Sequence, residues 1–193
     1  MGMGFALMPV RNANNFITLY HGSISLFDKP DADKGKPYKD FGKGFYVSQE
    51  KQNAINIALR NKLIEESRNK RFGKTECVSA FLYTFEFNPA YLKNYSIKEF
   101  SGADKEWLRF VIANRSSSDK SHTYDAVIGP TANDDTRASL RAYNAGAYGE
   151  QDNDEAMDML INRLKVDKLP EQIYFSNNDI LSHLTLKGDV IKL

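Results

Sequence analysis

Cysteine is almost missing: Cys77 is the only one in 193 residues. A lone thiol closes no internal disulfide and builds no cysteine-based zinc site. It falls in the alternating apolar run Glu76 to Phe87, so the expectation is a buried structural thiol rather than a nucleophile. Histidine is scarce as well. His21, His122 and His183 have no cysteine or acidic company at ligand spacing, so no metal site is expected. Neither sign of charge is in excess. Lys and Arg number 26 against 25 Asp and Glu, a net charge of +1. No global field then favours nucleic acid or an anionic membrane, although a local basic patch can hide inside a neutral total. Nucleic acid is further disfavoured because basic residues do not cluster with interleaved aromatics. No run approaches the roughly 18 apolar residues of a membrane span. Met1 to Val10 lacks the basic start and long apolar core of a signal peptide. The chain is read as cytoplasmic, with no membrane partner. No Gly-x-Gly-x-x-Gly follows a strand, which argues against a Rossmann dinucleotide site.

The hydrophobic fraction of 41% and the charged fraction of 26% fit a globular protein with one ordinary core. Residues 1–15 read as an irregular leader and 16–193 as one domain. Short strands are expected at Ile17 to His21, Phe45 to Ser48, Cys77 to Phe87, Tyr124 to Gly129 and Gln172 to Phe175, with a last edge at Asp189 to Leu193. Asp28 to Lys43 should be an exposed loop. Ser48 is placed to cap a helix to about Arg68, with Ala54, Ile55, Ala58, Leu59 and Leu63 on its apolar face. Ser101 and Asp104 precede a helix carrying Trp107, Leu108, Val111 and Ile112. Asp134 or Asp135 starts a helix that Gly146 stops, and Asp152 to Leu164 is another. Asn178 to Leu184 is a short one. The basic stretches Arg60 to Arg71 and Arg109 to Lys120 read as solvated helix faces. Strands and helices alternate without a β-α-β rhythm, so the expected class is α+β.

Two segments concentrate chemistry: Leu19-Tyr20-His21-Gly22-Ser23, and Asp40-Phe41-Gly42-Lys43-Gly44-Phe45-Tyr46-Val47-Ser48. A helix follows the second. In that order they resemble the first two motifs of the diphtheria-toxin-like ADP-ribosyltransferases, which include the poly(ADP-ribose) polymerases. Over about residues 17 to 185 the chain is more closely similar to an uncharacterised bacterial family placed in that superfamily. Its members share these segments, a Gly-Pro-x-Ala-Asn-Asp stretch (Gly129 to Asp134 here) and a late Gln-x-x-Phe strand (Gln172 to Phe175). The resemblance implies a split, mainly antiparallel sheet with helices outside, and NAD⁺ as substrate in the cleft. It implies that His21 donates to a ribose hydroxyl, that Gly22 leaves backbone bare for the nicotinamide carboxamide, and that Ser23 adds a hydrogen bond there. It implies that Tyr46 stacks on the nicotinamide ring. His21, Gly22 and Tyr46 are accordingly expected in one cleft. Gly42 and Gly44 read as a tight turn needing positive φ. That turn would set Tyr46 against the ligand, with Lys43 either near the pyrophosphate or in solvent.

Breaking the nicotinamide–ribose bond passes through an oxocarbenium-like state, so a carboxylate near the developing cation is valuable. The best-known transferases place a Glu at the start of a late strand. Here Pro170-Glu171-Gln172-Ile173-Tyr174-Phe175 occupies the matching place. A strand alternates faces, so only one of Glu171 and Gln172 can enter the cleft. Ile173, Phe175 and the closer family's pattern favour Gln172. Asn133 or Asp134, in the stretch after Gly129-Pro130, either caps the next helix or lines the cleft and supplies a carboxylate. Asp40 either braces its loop or orients His21. Ile57 stands where many polymerases carry a second stacking Tyr. The activity implied is mono-ADP-ribosylation of a macromolecule, a protein by preference, by a bacterial toxin or effector with a neutralising partner. The alternatives are an NAD⁺ glycohydrolase and a catalytically silent module that binds NAD⁺, ADP-ribose or protein.

Overall fold

The computed structural model describes residues 15–118, 121–132, 134–150, 153–164 and 169–193. The proposed leader, apart from Asn15, and Asn133 lie outside the described residues. So do the side chains of residues 134–137, Asp134 among them.

Alternation of apolar residues builds two sheets. In the first, β1 (Ile17–Ser23) pairs antiparallel with β3 (Phe81–Phe87), from Ile17 opposite Phe87 to Ser23 opposite Phe81. The other edge of β3 takes two short strands, β7 (Thr185–Leu186) and β8 (Ile191–Lys192). In the second sheet the order is β2 (Phe45–Val47), β6 (Glu171–Phe175), β5 (Ala126–Pro130) and β4 (Ile97–Glu99). Only the β4–β5 pair there is parallel. The class is α+β with mixed and antiparallel sheets.

Period-two alternation sends the two faces of the second sheet into different cores. Phe45, Val47, Ala126, Ile128, Ile173 and Phe175 meet Ile17, Leu19, Tyr83, Phe85 and Phe87 of the first sheet. On the opposite face, Val127 and Tyr174 meet α2 (Lys105–Ser116), α3 (Asp134–Asn144) and α4 (Asp154–Leu164) through Trp107, Leu108, Val111, Leu140, Tyr143, Met157 and Leu160. Each such side chain contributes about 1.5–3 kcal/mol on burial. Asp104 caps α2 by accepting from the Trp107 N–H at 2.8 Å, and the Trp107 indole donates to the Pro130 carbonyl at 3.0 Å. Gly146 ends α3 at φ +78°, where Gly146 and Ala147 N–H bond back to Tyr143 and Ala142. A short helix, α5 (Asn178–Leu181), closes the end of the first core.

The remaining helix, α1 (Lys51–Arg71), lies on the outer face of the first sheet and buries only Ala54, Ala58 and Asn69. Leu59 and Leu63, expected on its apolar face, are exposed, Leu63 by 64%. The sheet meets the helix through the small residues Ala54 and Ala58, and Leu59 and Leu63 lie outside that contact. Cys77 is also exposed, against expectation. The strand begins only at Phe81, because its partner β1 ends at the facing Ser23. Among the described residues, no helix is long and apolar enough to cross a membrane.

Candidate functional site

The two sheets meet where β1 touches the end of β2. Tyr20 and Ser48 exchange backbone hydrogen bonds of 2.8 and 2.9 Å. One residue on, His21 lies half-buried on the inter-sheet side. Its ring stacks on Phe45 at 4.3 Å, with Phe27 and Tyr83 around it. Nδ1 is 2.7 Å from the Tyr46 carbonyl. A carbonyl only accepts, so Nδ1 carries the proton and Nε2 of the neutral ring carries the lone pair. Desolvation lowers the pKa to about 4, against the smaller opposing effect of that hydrogen bond. The imidazole is neutral near pH 7. In that form Nε2 can accept a hydrogen bond but not donate one, whereas the expected role is that of a donor.

Tyr46 follows Phe45 in β2 and points the other way. Its ring joins the second core beside Phe41 and Tyr174. Its hydroxyl donates to the Gly42 carbonyl at 2.6 Å and accepts from the Phe41 N–H at 3.1 Å. Burial first, then the nearby Asp40 charge, holds the phenol well above its ordinary pKa. The rings of His21 and Tyr46 therefore lie on opposite faces of the second sheet and do not line one cleft. Strand alternation is the reason: His21 reaches the backbone of Tyr46, not its side chain.

Gly22 is buried, and packing by itself calls for a glycine there. A Cβ there would stand 2.0 Å from the Ala54 carbonyl oxygen and 3.0 Å from the Ala58 nitrogen, so α1 occupies that side of the strand. Gly42 does sit at φ +93°, as its turn requires. Gly44 is not at positive φ; a Cβ there would stand 2.3 Å from the Tyr174 ring and 2.4 Å from the Phe175 carbonyl oxygen. Lys43 is exposed, and its carbonyl accepts from the Tyr174 hydroxyl at 2.8 Å. The Ser23 hydroxyl is engaged in a local turn with Ser25.

At the start of β6 the two open alternatives separate. Gln172 is 7% exposed and donates through Nε2 to Asp40 Oδ2 at 2.9 Å, on the helix side of the sheet. Glu171 shares the other face with Ile173 and Phe175, towards the first sheet. Gln172, the residue expected in the cleft, therefore faces the helices, and Glu171 faces the other sheet. Gln172 is held inside a polar network, and Glu171 is the half-buried carboxyl on the inter-sheet side. Its pKa is pushed up to about 7, by burial first and then by the charges of Glu99 and Glu50. The Ser48 hydroxyl donates to the Glu171 carbonyl at 3.0 Å.

Asp40 braces. It is 5% exposed and accepts from Arg115 Nε at 2.7 Å, from the other Arg115 nitrogen Nη2, from the Ala132 N–H at 2.9 Å and from Gln172. Arg115 also donates to the Ala132 carbonyl at 3.0 Å. Arg115 belongs to a stretch expected to be a solvated helix face, yet its side chain is only 19% exposed. Its spacing from Trp107 and Val111, eight and four residues, was the available signal that it shares their buried side. His122 and His183 are both half-buried. His122 Nε2–H donates to the Phe41 carbonyl at 2.9 Å and Nδ1 accepts from the Tyr124 N–H at 3.1 Å. His183 stacks on Tyr91 at 4.0 Å and bonds the Tyr95 hydroxyl at 3.0 Å. Among the described residues, no group of three or more His, Cys, Asp or Glu is placed to hold a metal. An open groove on α1, lined by Arg60, Leu63, Ile64, Ser67, Arg68 and Arg71, lies along that helix away from its Glu50 end.

The α+β fold thus brings the neutral, oriented His21 and the half-buried Glu171 carboxyl to the same inter-sheet side of the second sheet. Residues 17–186 match the family described as "Protein of unknown function (DUF3990)", and the chain belongs to that family. No curated protein and no solved structure matches it.

Proposed function

We propose that this chain is an NAD⁺-cleaving enzyme of the ADP-ribosyltransferase type, with Glu171 as its working carboxylate and His21 as a ribose-binding group. The observation that carries the reading is Glu171 at the start of β6, with a pKa near 7, on the same inter-sheet side as His21. It stands beside the resemblance of the His21-Gly22-Ser23 and Phe41-to-Tyr46 segments to that superfamily. In the reaction the bond from ribose C1′ to the nicotinamide nitrogen breaks and its electron pair leaves with nicotinamide. Ionised Glu171 accepts the ribose 2′-hydroxyl hydrogen and faces the oxocarbenium charge. It then takes the proton of the attacking acceptor. His21, with Nδ1–H held by the Tyr46 carbonyl, accepts a second ribose hydroxyl at Nε2.

In this reading Tyr46, Gly44 and Lys43 shape the turn that carries β2, and Gly22 and Ser23 shape the strand end. Gln172 supports its neighbour. A carboxylate rather than an amide at the site favours transfer to a macromolecule, for which we propose a single ADP-ribose unit on a cytoplasmic protein. The toxin or effector role and the neutralising partner rest on the resemblance alone. The test is nicotinamide release from NAD⁺ by purified protein with cell extract as acceptor, comparing wild type with Glu171→Gln. Rate loss of about 100-fold or more in the variant is expected. Equal rates would refute the assignment, and no release from wild type would refute the activity. Free ADP-ribose matching nicotinamide mole for mole would make the enzyme a glycohydrolase.

A further inference from the structure

Asp40 draws three other segments to one buried carboxylate. It sits in the loop before β2, Arg115 in the last turn of α2, Ala132 in the loop after β5, and Gln172 in β6. The backbone around Glu171 is held from other sides too. The Ser48 hydroxyl bonds its carbonyl at 3.0 Å, and the Thr131 N–H bonds the Pro170 carbonyl at 2.8 Å. Ile173, Tyr174 and Phe175 are locked by the cores, but Glu171 and Gln172 form the polar beginning of the strand, where packing alone constrains less. A strand start that twists or frays there would exchange or blur the faces of two adjacent polar side chains.

We propose that Asp40 is a positioning residue: by holding Gln172, Arg115 and the Ala132 N–H on the helix side of the second sheet, it fixes the start of β6 so that Glu171 alone is presented to the inter-sheet side. The inference builds on the proposed role of Glu171, yet its geometry can be tested without any activity. Asp40 does not meet substrate. It acts through the strand, and losing it frees Glu171 to swing towards water, away from Glu50 and Glu99.

The experiment follows the Glu171 side-chain carboxyl carbon by NMR from pH 4 to 9 in wild type, Asp40→Asn and Gln172→Met. Amide spectra confirm that each variant keeps its fold. Gln172→Met leaves the Asp40–Arg115–Ala132 contacts in place, so it decides the matter alone if Asp40→Asn does not fold. A wild-type midpoint near 7 is expected to fall by at least one unit in the folded variants. The pH profile of nicotinamide release should move with it, and kcat should fall about tenfold to a hundredfold. A midpoint that stays near 7 in the folded variants overturns the proposal. If wild type releases no nicotinamide, the activity fails while the titration still decides what Asp40 does.

Discussion

Replacing Gly22 by Ala separates two explanations of the same glycine. If the residue exists to leave room for a ligand, Gly22→Ala folds normally and loses only binding. The geometry says otherwise. The new Cβ would stand 2.0 Å from the Ala54 carbonyl oxygen. Carbon and oxygen in close non-bonded contact keep about 3.3 Å, so α1 must retreat by roughly 1.3 Å. The obstacle is helix backbone, which no rotamer relieves, and Ala54 and Ala58 are the apolar anchors that would be pulled off the sheet. Overpacking typically costs about 1–3 kcal/mol. A rigid backbone clash plus two lost anchors puts this case at about 3 kcal/mol or more, a large share of the roughly 5–15 kcal/mol of a whole domain. With a urea m-value of about 2.5 kcal/mol/M, the unfolding midpoint should drop by about 1.2 M at unchanged m. Ala54→Gly should not rescue it, since the clashing atom remains. A loss under about 1 kcal/mol with the fold intact would refute the packing account and return Gly22 to the ligand.

Linkage gives two opposite pH signatures. His21 is lowered from 6.5 to about 4, so the unfolded chain takes up the proton first. Its stability contribution is complete above pH 6.5 and is lost between 6.5 and 4, by at most about 3 kcal/mol; urea titrations should show this acid slope flattened in His21→Gln. Glu171 is raised from 4.5 to about 7, so ionising it opposes folding above pH 7 and not below 4.5. Glu171→Gln should therefore be more stable than wild type at pH 8, by about 1–2 kcal/mol after allowance for solvent screening, and equal to it at pH 4; equal stability at both would contradict the burial of this carboxyl. Arg115→Met strips the strongest partners from buried Asp40 and should lower stability by about 3 kcal/mol or more, since a buried charge loses its pair; a midpoint shift under 0.5 M urea would speak against the network. Cys77 is exposed and should react with a thiol reagent in the folded protein at nearly the rate of the urea-unfolded chain; protection of ten-fold or more would place it inside.

Much of the fold was legible because it rests on local rules. β1, β2, β5 and β6 announce themselves by β-branched and aromatic residues, and the Asp104 cap and Gly146 stop by chemistry that works within one turn. What stayed hidden needed tertiary knowledge. β4 has only three residues, none of them buried, and exists because β5 lends it hydrogen bonds. The length of β3 is set by where β1 ends, which no feature of residues 77–80 reveals. Leu59 and Leu63 sit at helical spacing from Ala54 and Ala58, but spacing does not say which of them the sheet meets.

The site shows the same division more sharply. Periodicity says that Glu171 and Gln172 face opposite ways; it cannot say which way is the cleft. Ile173 and Phe175 favour Gln172 as the ligand-facing residue only if the apolar face of the strand is turned away from the ligand; in a two-sheet protein that face is the one turned towards the other sheet. The residue in line with Ile173 and Phe175 at the polar start of the strand is Glu171, and it therefore stands on the inter-sheet side. Gln172 is polar for the opposite reason: it must answer the buried charge of Asp40, 132 positions away in sequence. Tyr46 follows the same logic, since its neighbours Phe45 and Val47 belong to the inter-sheet core and leave it no place there. A motif read as a row of ligand contacts thus resolves into alternating duties. One set of residues faces the other sheet, where His21 and Glu171 lie, and the next residue along in each strand ties that sheet to the helices behind it.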